Sequence, residues 1–156
     1  MPDSLPHLLW LVHLAATLFL VGLIWVVQVV HYPLFASVGT QQFHGYWRGH
    51  TRLITCLVGP VMLLEAGTAV LLCAVRPAGL SLPVLVIASG LLVLIWVSTW
   101  LVQIPCHERL GRRFDPVTLR QLVLTNWVRT AAWTLRGVLV LAQTWELLRP
   151  SVVVEQ

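Results

Sequence analysis

The chain has 156 residues, of which 58% are hydrophobic and 10% charged, with a mean hydropathy of +0.83. A water-soluble protein of this size could not hide so much apolar surface. The formal net charge of +4 does not indicate nucleic-acid binding, because all ten basic residues are Arg and six of them are grouped in or beside two connections between long apolar runs.

Four apolar stretches fill the sequence, at residues 8–30, 53–75, 82–104 and 122–148. A helix needs about 20 apolar residues to cross a ~30 Å hydrocarbon core. The expected fold is therefore an all-α integral membrane protein, with four transmembrane helices in one bundle and a single domain over residues 1–156.

Along the first stretch, His13 and His31 are 18 residues apart, a whole number of helical turns, with Thr17 and Gln28 near the same stripe. Pro33 is expected to end this span, and about 20 residues of loop should follow it. The second stretch contains Pro60, which should kink the helix or loosen its hydrogen bonding, and the acidic residue Glu65. The segment Arg76-Pro77-Ala78-Gly79-Leu80-Ser81 reads as a tight turn. Pro83 opens the third stretch and Pro105 is expected to close it, with about 17 residues of loop beyond. On the fourth stretch, Asn126, Arg129, Trp133, Arg136 and Gln143 fall within a stripe of roughly 100°. Residues 150–156 read as a polar-ended tail.

Trp25-Val26-Val27-Gln28 followed by His31 resembles Trp100-Leu101-Val102-Gln103 followed by His107. Both sit near the ends of spans that run in the same direction. A duplication would make the fold two related helical hairpins.

Arg48, Arg52, Arg109, Arg112, Arg113 and Arg120 flank the two longer connections, against Arg76 and Arg149 on the opposite side. The excess of positive charge places those connections in the cytoplasm and both termini on the non-cytoplasmic side of a bacterial-type inner or plasma membrane. Cys56, Cys73 and Cys106 make no disulfide framework.

Polar groups inside a bilayer are costly, so their positions carry the functional evidence. Glu65 and Arg136 should sit at one depth and pair, with Arg129 as the other candidate partner. Gln28, Gln103, Glu65, Asn126, Arg129, Trp133 and Arg136 are the candidate ligand-binding residues. Trp25, Trp100 and Trp133 would receive the apolar part of a ligand, and Arg129 or Arg136 an anionic group. His31, His44, His50 and His107 collect near the cytoplasmic face and are candidate ligands for a metal ion or haem. No short histidine box, C-x-x-C or nucleophile motif accompanies them.

Two functions fit this pattern. One is a small membrane protein with a His- and Arg-lined pocket near the cytoplasmic face, binding a metal, haem or an amphipathic small molecule, with a membrane oxidoreductase as its enzymatic form. The other is a non-catalytic membrane subunit or assembly factor whose polar stripes serve helix packing. The expected partners are the lipid bilayer, an amphipathic small molecule and a second copy of the chain, with no nucleic acid.

Overall fold

The computed structural model describes residues 4–149, and the 150–156 tail lies outside them. The chain is 90% helical, with no strand among the described residues. Four helices form it: α1 Ser4–Phe35, α2 Thr40–Ala74, α3 Leu82–Arg112 and α4 Pro116–Leu148. The first three are long and apolar enough to cross a membrane. The fourth is 33 residues long but carries Arg120, Arg129, Arg136 and Glu146.

The loops expected between the first and second and between the third and fourth stretches are absent. Only residues 36–39 separate α1 from α2, and only 113–115 separate α3 from α4. Residues 40–52 and 105–112 are helical instead. The reason lies in packing. Phe43, Trp47 and Ile54 recur at helical spacing on α2 and join Tyr32, Phe35, Cys106, Leu110, Leu119 and Leu122 in one aromatic-rich core. Polar residues between these anchors face outward without breaking the helix.

Pro33 and Pro105 do not end their helices either. Each follows a wide π-helical turn, Val27–His31 in α1 and Thr99–Gln103 in α3. Tyr32 N–H donates to the Val27 carbonyl and Ile104 N–H to the Thr99 carbonyl. The proline then occupies the second position of the next α-helical segment, where its missing N–H costs little. This shared register aligns Pro33 with Pro105 and Gln28 with Trp100. The W-x-V-Q likeness instead aligns Gln28 with Gln103, so the two alignments disagree by three residues.

Asp115 starts α4 by accepting hydrogen bonds from the Val117 and Thr118 N–H groups, each at 3.1 Å. The Thr118 hydroxyl donates to the same carboxylate. These bonds, led by that hydroxyl, hold the Asp115 carboxyl below its ordinary pKa. The turn between α2 and α3 has Gly79 at φ 89°, a left-handed conformation that favours glycine. Gln143 of α4 secures this turn by accepting from Ser81 N–H at 2.8 Å.

α1 packs along both α2 and α4, and α3 packs along α4. α2 and α3 barely touch along their middle portions. They meet at one end through Trp47, Cys106 and Leu110, and at the other through Leu72, Leu80 and Leu85. Between those two contacts the bundle has a window. Many outward residues of α1–α3, such as Leu11, Val29, Leu53, Val70, Val86 and Leu101, are large, apolar and exposed, a surface suited to lipid.

Candidate functional site

Two polar systems share the interior, and they differ in one respect that decides their chemistry. The first is saturated. The Glu65 carboxylate accepts from Thr17 Oγ1 at 2.9 Å, Trp133 Nε1 at 3.2 Å, and Arg136 Nε and Nη2 at 3.3 and 3.0 Å. Arg136 also donates through Nη1 to the Ala88 carbonyl. The Thr68 hydroxyl is engaged with the backbone carbonyls of Leu64 and Glu65. Its oxygen therefore accepts from His13 Nδ1, 2.8 Å away. That assigns the Nδ1–H tautomer, and His13 Nε2 is left to accept from Arg136 Nη2 at 3.5 Å. Glu65, Thr17 and Arg136 are completely buried. This cluster ties α1, α2 and α4 together and has no polar atom left over for a ligand.

Gln28 and Asn126 extend the same kind of bonding. Gln28 donates to the Val123 carbonyl at 3.2 Å and accepts from Asn126 Nδ2 at 2.7 Å. Asn126 Oδ1 accepts from Arg129 Nη1 at 3.2 Å.

The second system is unsaturated. The window between α2 and α3 leads into a cavity of about 940 Å³. Its walls are Trp47–Leu63 on α2 and Trp96–Gly111 on α3, and its back is formed by Leu20, Ile24 and Val27 of α1 with Arg129 and Trp133 of α4. Among the described residues, five buried side-chain polar atoms have no hydrogen-bond partner: Thr51 Oγ1, Trp96 Nε1, Gln103 Oε1, His107 Nδ1 and Arg129 Nε. All five belong to residues that line this one cavity. Buried polar atoms are nearly always satisfied, and each orphan costs about 1–3 kcal/mol. That all five fall on residues of one cavity wall marks it as the place where interior polar bonding is incomplete.

Arg129 is the charge in this site. Its relative exposure is 8%. Its guanidinium lies over the Trp133 ring, 5.1 Å from the centroid, and among the described residues no carboxylate pairs with it within 4 Å. Gln103 is placed by its Nε2, which donates to Thr125 Oγ1 at 3.0 Å, while its Oε1 has no partner. His107 is held by Trp47, whose ring stacks on the imidazole at 4.9 Å and whose Nε1 donates to the His107 carbonyl at 3.2 Å. At the aromatic-rich end the rim is charged, with Arg48, Arg52 and Glu108. Toward the other end it is apolar, with Leu63 and Trp100.

The structure thus distributes the expected ligand-binding residues between the two systems. Arg129, Trp133 and Gln103 line the cavity. Glu65, Arg136, Asn126 and Gln28 stand behind it in bonded networks, and Trp133 and Arg129 belong to both, through Glu65 and Asn126 respectively. Trp25 points elsewhere, donating to Thr134 Oγ1 at 3.0 Å and packing on Trp127. Trp96 stands out in the sequence only as one of the deep tryptophans, with Trp25, Trp100 and Trp133, that need a packing partner or a ligand. Thr51 does not stand out there, because a lone hydroxyl carries no signal until its neighbours are known.

The expected layer of four histidines is not supported. The His31 and His50 rings lie 5.4 Å apart, tilted at 41° to each other, and His50 also packs edge-on against Phe35 at 4.8 Å. His44 is exposed and does not line the cavity. Among the described residues no group of three or more His, Cys, Asp or Glu side chains could hold a metal ion. Tight turns brought the segments close, but the aromatic core took His50 and His107 as packing partners.

No protein-family model, curated protein or solved structure matches the chain.

Proposed function

We propose that this protein is a multi-pass membrane protein that binds an amphipathic small molecule, taken up sideways from the bilayer between α2 and α3. In this reading α4 is the fourth span. Its Arg136 is neutralised by Glu65, and its Arg129 faces the cavity, so neither charge meets lipid. The observation that carries the proposal is that all five unpartnered buried polar atoms belong to residues lining one cavity, whose rim is charged at one end and apolar at the other. The volume of about 940 Å³ is near the upper end of the usual range for a small-molecule site. Apolar parts would lie along Leu20, Ile24, Met62 and Trp96, and the polar head among Thr51, Gln103, His107 and Arg129.

The other reading, a non-catalytic subunit held by polar packing, is favoured by the saturated Glu65 cluster. It accounts for Glu65, Arg136 and His13, but not for the five orphaned atoms. Native mass spectrometry of protein purified in mild detergent separates the two. A bound amphiphile should appear in the wild type and disappear in Gly59→Trp, which fills the cavity from a position where an added Cβ meets no atom within 4 Å. A wild type that carries no amphiphile, and takes up none when offered in excess, would refute the binding reading. A visible absorption spectrum of the same sample tests haem as the occupant.

A further inference from the structure

The geometry points to the occupant's chemical class: an amphiphile ending in a carboxylate, whose single negative charge sits on Arg129. This inference rests on the binding reading above and narrows it. Of the five unpartnered atoms, Trp96 Nε1 and Arg129 Nε can only donate, and Thr51 Oγ1 and His107 Nδ1 can donate. Only Gln103 Oε1 must accept, which one hydroxyl or water proton satisfies. A head that meets this set is rich in acceptor oxygens.

Charge selects further. Arg129 is the one buried cation lining the cavity, and the acidic residue there, Glu108, is exposed at the rim. The two ion pairs found among the described residues involve Arg136 and Arg149, not Arg129. A guanidinium in an apolar surround needs a counter-charge. One positive charge is balanced by a monoanion, and a doubly charged phosphate monoester would bury one charge too many.

Shape agrees. Asn126 engages Nη1, so the Nε edge of the fork is left, and a planar carboxylate can accept along such an edge with two parallel bonds. The apolar body then extends past Met62 and Trp96 toward the window at Leu63 and Trp100.

The test compares amphiphiles of equal chain length added to delipidated, purified full-length protein, with binding read by native mass spectrometry and calorimetry. Dodecanoate should bind about 2- to 30-fold more tightly than dodecanol, the usual value of a charge-assisted hydrogen bond over a neutral one. Arg129→Gln should bring that ratio near one, Arg129→Lys should keep most of it, and Arg112→Gln, at an exposed position, should leave it unchanged. If Arg129→Gln does not fold, the wild-type preference must still fade as acidification protonates the free carboxylate. Equal binding of dodecanoate and dodecanol would overturn the carboxylate while leaving the binding reading intact. No binding of either would refute both. Tighter binding of dodecyl phosphate or phosphatidylglycerol than of dodecanoate would overturn the carboxylate in favour of a phosphate head.

Discussion

Replacing Glu65 by Gln changes one atom's identity and removes one charge, and the structure sets what that should cost. The carboxylate accepts four hydrogen bonds, two of them from the Arg136 guanidinium at 3.0 and 3.3 Å, and both residues are fully buried. The amide keeps one acceptor oxygen and turns an NH2 toward donors. Arg136 would retain the Ala88 carbonyl and His13 Nε2, so its charge would be partly solvated by dipoles but unpaired. Breaking a buried pair from one side costs about 3–5 kcal/mol. Glu65→Gln should fall in that range, as should Arg136→Gln. The double variant should cost at least ~1 kcal/mol less than the sum of the singles, because the second change removes the orphan created by the first. Unfolding by SDS titration in mixed micelles, followed by far-UV circular dichroism, measures all three. The pair Glu146–Arg149 is the internal control: it spans 3.2 Å but its side chains are 49% and 58% exposed. Glu146→Gln should change stability by less than ~0.5 kcal/mol. Additivity within ~0.5 kcal/mol, or a Glu65→Gln cost no greater than that of Glu146→Gln, would refute the reasoning.

Other outcomes follow from single features. An added Cβ at Gly137 would lie 3.0 Å from Val21 Cγ2. Gly137→Ile should therefore destabilise the α1–α4 contact by ~1–3 kcal/mol in the same titration, and a neutral result would show that α1 sits farther away. The Asp115 cap is present above the carboxylate's unfolded pKa and is lost as pH falls through its lower folded value. Amide exchange in the first turn of α4 should speed up on acidification beyond the intrinsic trend, and Asp115→Ala should remove that excess; an excess that persists would mean another group is responsible. A cysteine at Ser37, in a Cys-free background, should be labelled from the cytoplasmic side alone, given the arginines nearby. Labelling from the outer side would invert the proposed topology.

The apolar runs were enough to locate all four helices, because hydrophobic length is read directly from composition. Their ends were not legible. Residues such as Gln41, His44 and Arg48 look like loop when weighed one at a time, and only the spacing of Phe43, Trp47 and Ile54 reveals the helix beneath them. Pro33 and Pro105 misled for a related reason: a wide turn just before each proline lets the helix pass through. The depth match of Glu65 and Arg136 was legible from the rise per residue, and the pair forms. Which arginine stays unpaired was not, because that depends on Ala88 and His13 reaching one guanidinium and not the other.

The window has one property that stems from its two walls rather than from its lining. Pro60 lies in α2 where that helix borders the opening, and its missing N–H deprives the Cys56 carbonyl of its usual partner. Across the opening, α3 carries its wide turn at Thr99–Gln103, directly ahead of Pro105. Each wall therefore has a break in the regular ladder that makes a helix stiff, and the two breaks face the same aperture. Bending compliance is concentrated there, while the ends of both helices are clamped by aromatic and leucine contacts. The two walls can bow apart at mid-length while their ends stay fixed, as two beams notched at the middle do. In the proposed binding reading, that bowing would let a molecule wider than the resting gap pass without either wall being pulled from the bundle.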